Sequence, residues 1–170
     1  MKKKILMIIA SNNFRDEEYQ KPREIFDKSG AIVAVASSSK KASTGMLGMK
    51  VTPDILLDDV LVNDYDVFVF VGGSGAAEYF TNKKALEIVC ESVKQNKVLA
   101  AICLAPSILA RAGVLKNKKA TVYSSEINTL KDNGAYYSEN SVEQDGNIIT
   151  ANGPTAALKF GEVVLNVMGK

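Results

Sequence analysis

The chain has 170 residues, 46% of them hydrophobic and 24% charged, with 21 Lys and Arg against 19 Asp and Glu. That is the length of one domain (residues 1–170) with ample apolar material for a core, and a net charge of +2 is too small to make nucleic acid or an anionic membrane the main partner. There are two Cys and no His, which excludes an internal Ser-His-Asp or Cys-His pair and any zinc cage.

Chemistry in this chain therefore runs on Cys, carboxylates, Tyr, Lys or backbone groups, and no metal or cofactor is expected. Lys2, Lys3 and Lys4 precede an apolar run, but the run is short and ends in polar residues, unlike a signal peptide. No apolar segment approaches the roughly 18 residues of a membrane span. Both points lead to the cytoplasm, where thiols stay reduced.

Residues 4–10 form a continuous apolar run, which predicts a strand buried on both faces. Residues 11–16 are a polar loop. Residues 17–29 carry Tyr19, Pro22, Ile25 and Phe26 and stop at Gly30, the pattern of a helix with Pro early in it. A second buried strand is expected at 31–36, a loop or small hairpin at 37–50, an extended piece at 51–54 and a short helical turn at 55–62. A third strand at 67–71 runs into Gly72-Gly73-Ser74-Gly75. Residues 82–96 place Leu86, Val89, Cys90 and Val93 at helical spacing, so Cys90 reads as a core residue.

Residues 98–113 are the stretch on which the chain is organised. An apolar run continues into a helix with Pro106 in its first turn and Gly113 as its stop, and Cys103 falls at the join. Nucleophiles of several α/β enzymes sit at such an elbow. Helix-start N–H groups favour an anion, so a thiol there is expected to ionise below its ordinary value of about 8.5. The alternative is that Cys103 is a small buried apolar residue. Beyond it, 120–123 reads as a strand, 125–133 as a helix closed by Gly134, and Asp145-Gly146 as the turn of a hairpin between 142–144 and 148–151. Residues 154–168 form the last helix.

Strands alternating with helices predict an α/β fold: a mostly parallel sheet covered on both faces, with the late hairpin as an antiparallel edge. Ligands of such sheets bind beyond the carboxyl ends of the strands. Three segments meet there: residues 11–18, residues 72–77 and Cys103. The glycine turn lacks the order that cradles nucleotide phosphates. It reads either as a tight turn needing positive φ or as part of an oxyanion pocket with the Leu104 N–H.

The motifs Val71-Gly72-Gly73, Ala101-Ile102-Cys103 with Pro106, Ala112-Gly113-Val114-Leu115-Lys116, the run from Tyr137 to Thr150, and Gly153-Pro154 follow one another through nearly the whole chain. Together they resemble the ThiJ/PfpI family, the DJ-one superfamily. The resemblance implies a flavodoxin-like three-layer α/β sandwich, akin to class I glutamine amidotransferases, and a homodimer. It implies a site in which Cys103 and a first-helix carboxylate, Glu18 four residues before Pro22, are catalytic. Gly72, Gly73, Ser74, Leu104, Tyr123 and Asn152 would complete the oxyanion and substrate-binding surface. Read without the resemblance, Glu18 is a solvated helix-start carboxylate, and Asp16 and Glu17 are helix-start charges.

The implied functions share that site. One is a cysteine enzyme acting on reactive carbonyls, of glyoxalase III or deglycase type, with a small carbonyl or glycated substrate. A second is a protein that senses oxidative stress through Cys103. The alternatives are an intracellular peptidase-like hydrolase and a non-enzymatic dimeric binding protein. The sequence departs from the family pattern in places. Leu104 follows the Cys where peptidase-like members have His, and residues 121–124 stand where deglycase-like members often keep one. Asn152 replaces an Arg before the late Gly-Pro, so an anion-binding cation is missing there. Glu78 falls near a carboxylate that some members share between subunits, and reads here as a helix-start residue.

Overall fold

The computed structural model describes residues 1–169. In chain order it runs β1 (Lys4–Ile8), β2 (Asn12–Phe14), α1 (Asp16–Lys28), β3 (Ile32–Ser37), β4 (Ser43–Gly45), β5 (Lys50–Val51), β6 (Ile55–Leu56), β7 (Val67–Phe70), α2 (Lys83–Lys94), β8 (Val98–Ile102), α3 (Pro106–Arg111), β9 (Lys119–Ala120), α4 (Ile127–Asp132), β10 (Tyr136–Tyr137), β11 (Val142–Asp145), β12 (Ile148–Ala151) and α5 (Ala157–Met168). The main sheet has seven strands in the order β11-β12-β8-β7-β1-β3-β6. All its pairings are parallel except β11 with β12, the expected edge hairpin.

The apolar runs are unbroken because each strand feeds two cores. Ile5 and Met7 of β1 and Val67 and Val69 of β7 face α1 and α5, against Phe26, Phe160 and Val164. Leu6, Ile8, Phe68 and Phe70 point the other way, onto Ile88 and Val89 of α2 and Ile108 and Leu109 of α3. Helices α1 and α5 approach closely because a Cβ at Gly161 would stand 2.9 Å from Pro22 Cα. The antiparallel edge and both helical layers match the flavodoxin-like sandwich expected above.

Several local expectations change. Residues 12–14, read as loop, form β2, which pairs in parallel with β4 of the small hairpin. Residues 55–62 open as strand β6 and only then turn helically, at Leu57–Asp59. The strand expected at 120–123 stops at Ala120. There Thr121 N–H donates instead to Thr150 Oγ1 at 2.9 Å, and Tyr123 N–H to the Cys103 carbonyl at 2.9 Å. Cys90 is exposed, not core. The buried stripe of α2 runs through Ala85, Ile88, Val89 and Ser92, and Cys90 falls outside it. Both cysteines are free thiols. Among the described residues no helix is long and apolar enough to cross a membrane.

Candidate functional site

The carboxyl ends of β1, β7 and β8 lie side by side, so the segments that follow them share one rim. Cys103 leaves β8 in the left-handed region, at φ +65°. For a residue with a Cβ this costs about 1–2 kcal/mol. The strain is held from both sides: Cys103 N–H donates to the Ala151 carbonyl at 2.9 Å, and its carbonyl accepts from Tyr123 N–H. This is the sharp elbow expected from the sequence, and it directs the side chain at the rim.

The glycine turn after β7 is glycine because the elbow presses on it. A Cβ at Gly72 would stand 2.6 Å from Cys103 Cβ and would overlap the Glu18 carboxyl. Gly73 adopts φ +100°. The N–H groups of Gly73 and Leu104 face the Cys103 sulfur and favour its anion. The carbonyl of Gly72 accepts from Arg15 N–H at 2.9 Å, which ties this turn to the start of α1.

Helix α1 opens with three acids, Asp16, Glu17 and Glu18, suited to its N-terminal dipole. They do three different things. The buried Asp16 carboxylate accepts from Leu47 N–H and Met49 N–H, both at 2.8 Å, and clamps the tip of the β4–β5 hairpin. Glu17 accepts from Arg15 Nε at 2.8 Å and Nη2 at 3.1 Å. Glu18 turns inward and is 0% exposed. Neither of its oxygens has a hydrogen-bond partner of good geometry among the described residues. The carboxyl lies against the Cys103 sulfur and the Gly72 N–H.

Burial pushes the Glu18 carboxyl up from 4.5 to about 8, against the opposing influence of Cys103, Arg15 and the Gly72 N–H. Burial also pushes the Cys103 thiol up to about 12, helped by the charge of an ionised Glu18; the Gly73 and Leu104 amides pull the other way. The thiol expected to be acidified by its helix start is thus raised instead. The reason is physical: the side chain is 7% exposed, and the helix behind it, Pro106–Arg111, is only six residues long. A pair this close titrates as a unit. Its first proton leaves near 8, so at neutral pH the pair is uncharged.

Above the pair lies a cavity of about 250 Å³, lined by Arg15, Glu18, Met46, Gly73, Ser74, Cys103, Leu104, Tyr123, Ser125 and Pro154. The structure therefore gathers Cys103, Glu18, Gly73, Ser74, Leu104 and Tyr123, with Gly72 packed beneath. Asn152 does not reach this cavity. It lines a neighbouring depression with Tyr137 and Thr155, and Tyr123 and Pro154 border both. Glu78 lies apart as well, accepting from Ser11 Oγ at 2.9 Å and Ser38 Oγ at 2.6 Å, where it braces the loops after β1 and β3.

Sequence reasoning missed Arg15, Met46, Ser125 and Pro154. Arg15 carried a signal: it stands three residues before Glu18, so the start of a helix puts both on one face. Met46 carried none, since only the Asp16 clamp brings the hairpin tip here.

The model of the DJ-1/PfpI family matches residues 3–167. The chain belongs to this family. It is 47% identical to an uncharacterized protein of Methanocaldococcus jannaschii, over 98% of this chain and 83% of that one. It is 32% identical to the deglycase PfpI of Pyrococcus furiosus, over 88% of this chain and 90% of the relative. Among solved structures, a ThiJ/PfpI domain protein from Brachyspira murdochii superposes with a TM-score of 0.96 at 29% identity, over 99% of this chain and 98% of that one.

Proposed function

We propose that the chain is a cysteine-dependent enzyme acting on small reactive carbonyls, of glyoxalase or deglycase type. One observation carries this reading: a fully buried carboxyl, held protonated at neutral pH, lies against a strained elbow cysteine inside a small cavity. Membership beside a relative named a deglycase supports it.

The steps balance without an outside oxidant. The Cys103 sulfur adds to the aldehyde carbon of an α-ketoaldehyde, forming an S–C bond and opening the C=O bond. The oxygen takes a proton from Glu18, and the Gly73 and Leu104 N–H groups stabilise its developing charge. The thiol proton passes to the carboxylate as the sulfur bonds, so Glu18 acts as acid and base in turn. The Glu18 carboxyl next gives its proton to the ketone oxygen as its other oxygen takes the proton of the former aldehyde carbon, which forms an enediol; it then protonates the neighbouring carbon and takes the hydroxyl proton from the former aldehyde oxygen. One carbon is oxidised to a thioester and the other reduced to an alcohol. Water then hydrolyses the thioester to a 2-hydroxy acid and frees the thiol. The test is lactate formation from methylglyoxal by purified protein. Loss of the activity in Cys103→Ala and Glu18→Ala is expected, and a wild-type rate equal to theirs would sink the reading.

A second reading rests on the same atoms. Two amides facing the sulfur and a protonated carboxyl beside it are the donors a cysteine sulfinate needs, so Cys103 also serves as a sensor of peroxide. Intact mass after mild peroxide should show two added oxygens on Cys103; an unmodified thiol counts against this role. A peptidase is not favoured, because no His is present to act as base. The homodimer implied by the family belongs to the proposal too, and sedimentation equilibrium decides it.

A further inference from the structure

Asn152, which stands where the family pattern has an Arg, does not line the cavity above Cys103, but a different cation does. Arg15 lines the same cavity as Cys103 and Glu18. The residue is held at both ends: Nε and Nη2 donate to Glu17, and its main-chain N–H is tied to Gly72. The Nη1 donors have no hydrogen-bond partner among the described residues. Glu17, which orients the guanidinium, is 31% exposed and does not line the cavity, so solvent screens its charge. Of the residues that do line it, Arg15 and Glu18 are the only ones of formal charge type, and Glu18 keeps its proton at neutral pH. The remaining wall is apolar or hydroxyl-bearing: Met46, Leu104, Pro154, Ser74, Ser125 and Tyr123. A small cavity with one fixed cation and a nucleophile is complementary to an anionic electrophile.

We propose that Arg15 sets the specificity of this site, its guanidinium receiving a carboxylate carried by the carbonyl substrate beside the carbon that Cys103 attacks. The proposal rests on the reading of Cys103 as the nucleophile. It names a substrate class: small carboxylate-bearing aldehydes, in preference to neutral ones. At about 250 Å³ the cavity is smaller than a drug-sized site of roughly 300–1,000 Å³, which confines the substrate to a few heavy atoms.

The test compares two alkylating agents of one shape, iodoacetate and iodoacetamide. With either, the Cys103 sulfur forms an S–C bond to the methylene carbon and iodide leaves, so only the charge of the reagent differs. Rates are read at Cys103 by peptide mass, because Cys90 is also free and is exposed. The pH is held on the acid side of 8, where Glu18 is protonated. The ratio of the two rates cancels the thiolate fraction. In wild type the ratio should exceed that of a free thiol by about tenfold, the worth of one hydrogen bond between charged groups. Arg15→Met should return it to the free-thiol value, Arg15→Lys should keep part of the preference, and Glu17→Gln should raise it by releasing Nε and Nη2.

A wild-type ratio no higher than that of Arg15→Met overturns the proposal, and so does failure of both reagents to reach Cys103. No turnover is needed. The anion preference and the lactate assay can therefore fail separately, and each failure is recognisable.

Discussion

Replacing Glu18 by Gln should make the protein more stable, and the gain should grow with pH. The wild-type carboxyl is 0% exposed and raised from 4.5 to about 8. Between those two values the folded protein keeps a proton that the unfolded chain has lost. Stability from this group is complete below 4.5 and is lost as pH rises through 8. The loss is about 1.4 kcal/mol for each pH step, and about 4–5 kcal/mol across the whole window. The amide introduced by Glu18→Gln has no proton to lose, so that variant escapes the slope. The assay is urea unfolding of both proteins from about pH 5 to about pH 7.5, followed as the difference between their free energies. Every other titrating group is common to both and cancels. The difference should rise steeply with pH. A constant difference would refute the claim that Glu18 is held protonated, and with it the acid in the proposed reaction. The same numbers explain why a buried acid without a partner is informative: it destabilises the fold at neutral pH, as functional groups often do.

Gly72→Ala should cost about 3 kcal/mol and block alkylation of Cys103, because the new methyl overlaps Cys103 Cβ and the Glu18 carboxyl; unchanged thermal stability would contradict the packing. Asp16→Ala should lose about 3 kcal/mol with the two hydrogen bonds to Leu47 and Met49, and the hydrogen exchange of those two amides should lose its protection. If both amides stay protected, the hairpin tip is held by something other than this carboxylate. At the elbow, Cys103→Gly should be more stable than Cys103→Ala by about 1 kcal/mol, since only glycine occupies φ +65° without cost; the reverse order would remove the strain from the account.

Much of the fold was legible in the sequence, for a reason visible in the two cores. Strands β1, β7 and β8 are buried on both faces and read as unbroken apolar runs. The Asp145-Gly146 turn announces the edge hairpin. What stayed hidden is set by tertiary contact. Strand β2 is three residues long, two of them Asn, and exists because β4 comes beside it. The elbow and its acid were legible as a pair of positions, Cys103 and Glu18, on motif spacing. Their electrostatics were not. A helix start argues for an acidic thiol, whereas the depth of burial, known only from the fold, raises both groups. Arg15 was overlooked because a cation next to three acids reads as a surface ion pair, and half of it is one.

The proposed chemistry requires that Glu18 hold the proton while the Cys103 sulfur carries the charge. The rate of Cys103 alkylation by iodoacetamide as a function of pH tests it most directly, in wild type and Glu18→Gln. The pair loses its first proton near 8, and the proposed reaction requires part of that loss to fall on sulfur. The wild-type rate should therefore show an inflection near 8 that Glu18→Gln lacks. A wild-type rate that stays flat through 8 and climbs only toward 12 would show a sulfur that keeps its proton, and would contradict the account.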